Sequence, residues 1–256
     1  MKSRGLVQLS VIALLLCMAH AAHAIVIVHD GGSQVVETFG SYANDQNLNG
    51  AGGGSGWSSA WSVIGSGTFT CKTVAGVKAG QYNNGSPPDA FAYRSFDDTE
   101  NVSQVTFTLS LSSSSGTSPD GMVSFQDSGG FTEASVRIIF NPVENKLLAL
   151  QNGLPDHDLL NGTAAQLNTT YTCTVTGMDF TAHNYDINVS WSGGNVNSTD
   201  VTFFSTGVDS MNGVLITGNG TFNVGSSAVP EPMTCALFGI GLLGFAGRFL
   251  RKKLLP

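Results

Sequence analysis

The chain has 256 residues, 32 glycines, four cysteines, only 11% charged residues and a formal net charge of −7. Its cationic residues crowd the two ends: residues 25–232 hold five, Lys72, Lys78, Arg94, Arg137 and Lys146, against all 18 carboxylates, a formal charge of −13. That surplus excludes nucleic acid and an anionic membrane surface as partners of this region, since both would be repelled. It suits solubility and leaves carboxylates available for divalent cations.

In chain order, Lys2 and Arg4 precede an apolar run over 6–18 and the small-x-small triplet Ala22-His23-Ala24. This is a signal peptide over 1–24, cut by signal peptidase after Ala24. From Ile25 onward the hydrophobic period is 2 rather than 3.6. Val105, Phe107, Leu109 and Leu111 alternate with Thr106, Thr108 and Ser110. Tyr171, Cys173 and Val175 alternate with threonines, and Tyr185, Ile187, Val189 and Trp191 with Asp186, Asn188 and Ser190. Each such segment predicts a strand with one buried and one wet face. Further strands are predicted over 25–28, 35–39, 68–74, 90–96, 122–126, 135–140, 146–151, 201–205, 213–217 and 220–224. Turn pairs such as Asn141-Pro142, Asn152-Gly153 and Gly193-Gly194 separate them. So many short strands without an internal linker predict one all-β domain over 25–225, an antiparallel two-sheet jelly-roll sandwich. Residues 226–232 form a tether carrying Val229-Pro230-Glu231-Pro232, stiffened by two prolines. Residues 233–256 hold an apolar run and a basic end. At about 1.5 Å per residue its 18 residues from 233 to 250 nearly cross a hydrocarbon core of roughly 30 Å. Arg248, Arg251, Lys252 and Lys253 keep that end cytoplasmic, so everything before Pro230 lies outside.

The order of Pro-Glu-Pro, Gly-rich apolar span (Gly239, Gly241, Gly244, Gly247) and basic end resembles the PEP-CTERM sorting signal of Gram-negative bacteria. The resemblance implies recognition by an exosortase, a transpeptidase-like membrane enzyme that cuts near Pro-Glu-Pro. The precursor would then be anchored in the inner membrane by its C-terminal helix until processed to the cell surface or extracellular matrix. A second resemblance lies in Leu48-Asn-Gly50 followed by Gly54-Ser-Gly56-Trp57-Ser-Ser-Ala-Trp61. It is similar to the opening of secreted proteins with a concanavalin A-like, or laminin G-like, jelly roll. Ala92-Tyr93-Arg94-Ser95-Phe96 and the hairpin 170–191 are similar to later strands of those proteins. There the hairpin often ends in Asn-Pro, whereas Trp191 is followed here by Ser192-Gly193-Gly194.

Cys17 leaves with the signal peptide and Cys235 lies in the apolar tail, which leaves Cys71 and Cys173 in an oxidising compartment. One disulfide is expected, closing a loop of about 100 residues worth roughly 4–5 kcal/mol. The alternative is two buried free thiols. Sandwich glycanases need two carboxylates about 5 to 9 Å apart. Here the mature glutamates are only Glu37, Glu100, Glu133, Glu144 and Glu231, and none forms a Glu-x-Asp-x-x-Glu triplet. Asp97-Asp98-Thr99-Glu100 reads as a solvated turn. No certain cofactor follows from the sequence. A structural calcium would draw on Asp97, Asp98 and Glu100, or on Asp156 and Asp158 flanking His157. The run 52–56 lacks the lysine of a phosphate-binding loop and reads as a flexible turn before two aromatics. Of Trp57, Trp61 and Trp191, the first is the carbohydrate-binding candidate, because it follows Gly56 in a polar stretch while the others sit at core positions of strands. The expected function is that of a non-enzymatic surface or matrix protein that binds exopolysaccharide. The rivals are a structural matrix protein without a ligand and a polysaccharide hydrolase or lyase.

Overall fold

The computed structural model describes residues 25–74, 76–85, 89–97, 101–127 and 132–225. The signal peptide with Ala22 and Ala24, the tether with the Pro-Glu-Pro motif, the apolar tail with its basic end, and Asp98 and Glu100 lie outside them. The described residues contain fifteen strands and no helix: β1 (Ile25–His29), β2 (Gln34–Glu37), β3 (Ser62–Ile64), β4 (Thr68–Val74), β5 (Val77–Gly85), β6 (Phe91–Ser95), β7 (Val102–Ser113), β8 (Gly121–Gln126), β9 (Ala134–Asn141), β10 (Lys146–Ala149), β11 (His157–Asp158), β12 (Tyr171–Asp179), β13 (Asn184–Trp191), β14 (Gly194–Thr202) and β15 (Gly213–Val224). All pair antiparallel in two layers, the all-β sandwich that the alternation predicts.

The first sheet runs β14-β13-β12-β7. On the far edge of β7 lie β1, beside residues 102–107, and the end of β15, beside 109–113. β2 then pairs with β1, β5 with β15, and β4 with β5. The second sheet runs β11-β10-β9-β8-β15-β6-β3. β15 therefore belongs to both layers and replaces two expected strands, 213–217 and 220–224. It changes layer at Gly218 and Gly220. A Cβ on Gly218 would stand 2.3 Å from the Asp120 carbonyl oxygen, and one on Gly220 would stand 2.5 Å from that of Ser113. Only glycine lets the chain pass so close to its neighbours.

The inner faces carry the core. Phe107 and Phe125 meet across the layers at 5.2 Å, and Phe140 touches Tyr171 at 5.7 Å and Phe222 at 5.9 Å. Each such ring contributes about 1.5–3 kcal/mol through burial. In the first sheet the alternation holds, as the buried odd positions of β12 and β13 show. β8 and β9 differ, because both of their faces are buried. Met122, Ile139, Leu148 and Leu215 form a second apolar cluster on the outer side of this sheet. Beside it Arg137 donates to Ser124 Oγ at 3.3 Å and lies 3.8 Å over the Phe204 ring. Burial pushes the Arg137 pKa down to about 10.

Three sequence expectations are corrected. Cys71 and Cys173 are free and buried. They stand on β4 and β12, separated in the first sheet by β5, β15 and β7. Four interstrand steps of about 4.8 Å far exceed the Cα separation of about 4.4–6.8 Å that a disulfide spans. Cys71 Sγ instead donates to the Phe39 carbonyl at 3.6 Å, and burial raises both thiol pKa values. The strand expected over 201–205 is displaced to β14. Residues 203–205 cross to the second sheet, where Phe204 N and Ser205 N each donate at 3.0 Å to Ser135 and Ala134 carbonyls. Finally, β3, β5 and β11 form where the sequence pattern marks no strand.

Candidate functional site

The segment from Glu37 to Trp61 closes around one buried ion pair. Glu37 on β2 and Arg94 on β6 are 0% and 2% exposed, and their side chains bond directly. Glu37 Oε1 accepts from Phe39 N at 2.9 Å, and Oε2 accepts from Tyr42 OH at 3.1 Å and Trp61 Nε1 at 3.2 Å. Arg94 Nε donates to the Ser59 carbonyl at 2.9 Å, and Tyr42 Oη accepts from Gly53 N at 2.7 Å. The carboxylate thus accepts four hydrogen bonds, and the guanidinium is met by that carboxylate and the Ser59 carbonyl, as a buried charge requires. Burial lowers the Arg94 pKa, and Glu37 opposes that fall. Burial, reinforced by Glu37, raises that of Tyr42.

The glycine run is pinned, which corrects its reading as a flexible turn. Val36 and Ser55 exchange two backbone hydrogen bonds of 2.8 Å. Gly54 has φ +79°, and a Cβ there would stand 2.3 Å from the Val36 carbonyl oxygen. Trp57 is half-buried: its Nε1 donates to Val36 O at 3.1 Å, and the Arg94 guanidinium sits 4.6 Å from its ring centre. Its donor and one ring face are already used inside the protein. Trp61 is buried, and Trp191 packs on Tyr171 at 6.1 Å. The Gly-x-Gly-Trp-x-x-x-Trp pattern thus builds a fastening between β2 and β6.

Among the described residues the acidic side chains of these loops do not converge. The Asp158 carboxylate accepts from Leu160 N at 3.0 Å and Gly162 N at 3.1 Å, capping its own turn. His157 Nε2 bonds Ser198 Oγ at 2.8 Å, while Asp156 and Asp97 are exposed elsewhere. Among the described residues no three His, Cys, Asp or Glu side chains gather where an ion could sit. Asp158 is thus engaged in its own turn and His157 with Ser198.

A different place brings polar groups together. Three neighbouring strands of the first sheet stop at the same end: β1 runs into Asp30, β7 starts after Asn101, and β12 ends at Asp179. The pairing registers are irregular at this end, at Val28/His29 and Thr176/Asp179. A cleft of ≈ 580 Å³ opens there, lined among others by Asp30, Asn101, Ser103, Met178, Asp179 and Phe180. Asp30 N donates to Asn101 O at 2.9 Å, which holds the two loops together. Asp179 Oδ1 accepts from Thr181 N and Ala182 N, each at 2.8 Å, and these bonds hold its carboxyl below the usual carboxylate range. Phe180 is half-buried, its ring edge on Phe203 at 5.4 Å. Two carboxylates, an amide and hydroxyls beside apolar Met178 and Phe180 are groups that can accept and donate to a polyol while covering its carbon face. Sequence reasoning missed this cleft, because its residues come from three separate strand ends and form no motif.

Residues 228–252 match the PEP-CTERM protein-sorting motif. That motif implies an exported, membrane-anchored precursor that an exosortase, a membrane enzyme, processes at the cell surface. No curated protein sequence matches the chain. Among solved structures, lectin I-B4 from Griffonia simplicifolia is similar at 11% identity and TM-score 0.40, over 62% of this chain and 89% of that one. A carbohydrate esterase from Shiga toxin-encoding bacteriophage phi24B is similar at 12% identity and TM-score 0.43, over 71% and 96%. An endo-β-1,4-glucuronan lyase from the fungus Trichoderma reesei is similar at 12% identity and TM-score 0.36, over 73% and 95%.

Proposed function

We propose that this chain is an exported surface or extracellular-matrix protein whose jelly-roll domain, concanavalin A-like in layout, binds exopolysaccharide without transforming it. The cleft at the end of β1, β7 and β12 carries this reading. Asp30, Asn101 and Asp179 offer hydroxyl-binding groups beside the Met178 and Phe180 side chains. A structural calcium is compatible with the proposal but has no assigned ligands. A purely structural matrix protein is the second reading, favoured by the closed state of the Trp57–Trp61 fastening.

Two experiments test the proposal. Intact mass of the protein recovered from the host's outer surface should show a chain from near Ile25 to between Pro230 and Pro232. A species that keeps Arg248–Pro256 would overturn the exosortase route. The processed protein should also bind a subset of a glycan array, with and without calcium, and lose that binding on Asp179→Ala. An array without signal would leave the structural reading.

A further inference from the structure

The outward positions of the first sheet form a second, larger surface. On β12, Thr172, Thr174 and Thr176 alternate with the buried Cys173 and Val175. Pairing aligns Thr106, Thr174, Asn188 and Asn197 in one row across four strands. The next row aligns Thr108, Thr172, Ser190 and Asn195. Asn188 Nδ2 bonds Asn195 Oδ1 at 3.1 Å, and it also bonds the Asn197 side chain, so the amides are oriented. Beyond β7 polar side chains continue but are buried, Ser110 at 2% and Asn223 at 0% exposure, so the open part of the face lies on β12 to β14 and at Thr106. Gln81 Nε2 donates to Asn223 Oδ1 at 2.8 Å, and Asn223 Nδ2 donates to Ser112 Oγ at 2.7 Å.

Neither row holds a charged side chain, although residues 25–225 carry 17 carboxylates; the next row, Gln104, Thr176 and Asp186, holds one of them. Long charged side chains lose rotamer freedom and hydration when something lies on them. Short hydroxyls and paired amides lose little of either. One member is already short of a partner: Thr108 is 3% exposed, and its Oγ1 has no hydrogen bond among the described residues.

We propose that this face docks an uncharged, hydroxyl-rich polysaccharide laid across the strands. A polymer in that direction meets a fresh hydroxyl or amide about every 4.8 Å. The formal charge of −13 over residues 25–232 disfavours carboxylated or sulfated polymers. A cationic polymer would follow the loop carboxylates, and salt would release it. The surface is distinct from the cleft and extends the glycan reading from one pocket to a polymer-sized contact.

The test is co-sedimentation of the processed protein with an insoluble neutral β-glucan, with alginate and chitosan gels as charged controls. Retention on the neutral polymer that survives high salt is expected. Thr174→Lys with Asn188→Lys should lower it by on the order of tenfold, because each buries an unpaired charge under the polymer, with thermal unfolding unchanged. Asn188→Asp is the milder variant should the lysines disturb folding, and it should weaken retention in the same direction. Retention on charged gels alone overturns the proposal. So does loss of binding in Asp30→Asn with Asp179→Asn but not in the face variants, an outcome that leaves the cleft reading standing. No retention on any polymer overturns both.

Discussion

The fastening around Glu37 and Arg94 and the outer face of the first sheet are both polar, yet they are built on opposite terms. The fastening buries two full charges and meets each with a partner, from Tyr42, Trp61 and the Ser59 carbonyl. At Thr106, Thr172, Thr174, Asn188 and Ser190 the outer face keeps neutral, half-buried groups, with hydroxyls and amides in register. A polar group's weight depends on whether water can replace its partner. Inside, it cannot, so the fastening is rigid and intolerant of loss. On the face it can, so those residues remain free to exchange water for a ligand.

Removing one partner inside the fastening should therefore have the largest effect. Glu37→Ala leaves Arg94 charged and buried and should cost about 3–5 kcal/mol, read by urea unfolding. Gly54→Ala should cost about 1–3 kcal/mol, because φ +79° is strained for alanine and its Cβ meets the Val36 carbonyl. If Cys71 and Cys173 are free, a reductant should leave the unfolding midpoint unchanged. A thiol reagent should then label both only in denaturant, and a loss of roughly 4–5 kcal/mol on reduction would restore the disulfide. Asp179 supplies a pH effect. Its folded pKa lies below the ordinary value of 3.8, so its contribution is complete above that value and lost as pH falls through the lower folded one. An NMR titration of its side chain should show that depression, and Asp179→Asn should remove the acid-side loss. On the outer face, Thr174→Val should change stability by less than about 0.5 kcal/mol, in contrast with Glu37→Ala.

Much of this fold is legible in the chain. Strands with strict alternation, such as β7, β12 and β13, stand where the pattern puts them, because a half-buried sheet face imposes its period directly on sequence. β5 escaped notice because Ala79, Gly80, Asn83 and Gly85 carry little hydrophobic signal, even though Tyr82 anchors it in the core. β14 is an edge strand with few buried positions, so its pattern is weak. The cysteine pair misled because an even count says nothing about how many strands lie between the two. The surroundings of Trp57 were not legible either, because a polar neighbourhood in sequence became a pinned one in space, beside Arg94 from a strand more than thirty residues later.

From its sequence alone this protein is determined to be all-β, strongly acidic between its ends and fitted with a PEP-CTERM sorting motif. These properties rest on local period, composition and contiguous residues. Tertiary structure alone decided that Glu37 and Arg94 meet, that β15 joins both layers, and that Asp30, Asn101 and Asp179 share one cleft. Each of these depends on strand order and register, set by the summed packing of many distant contacts rather than by any short stretch of the chain.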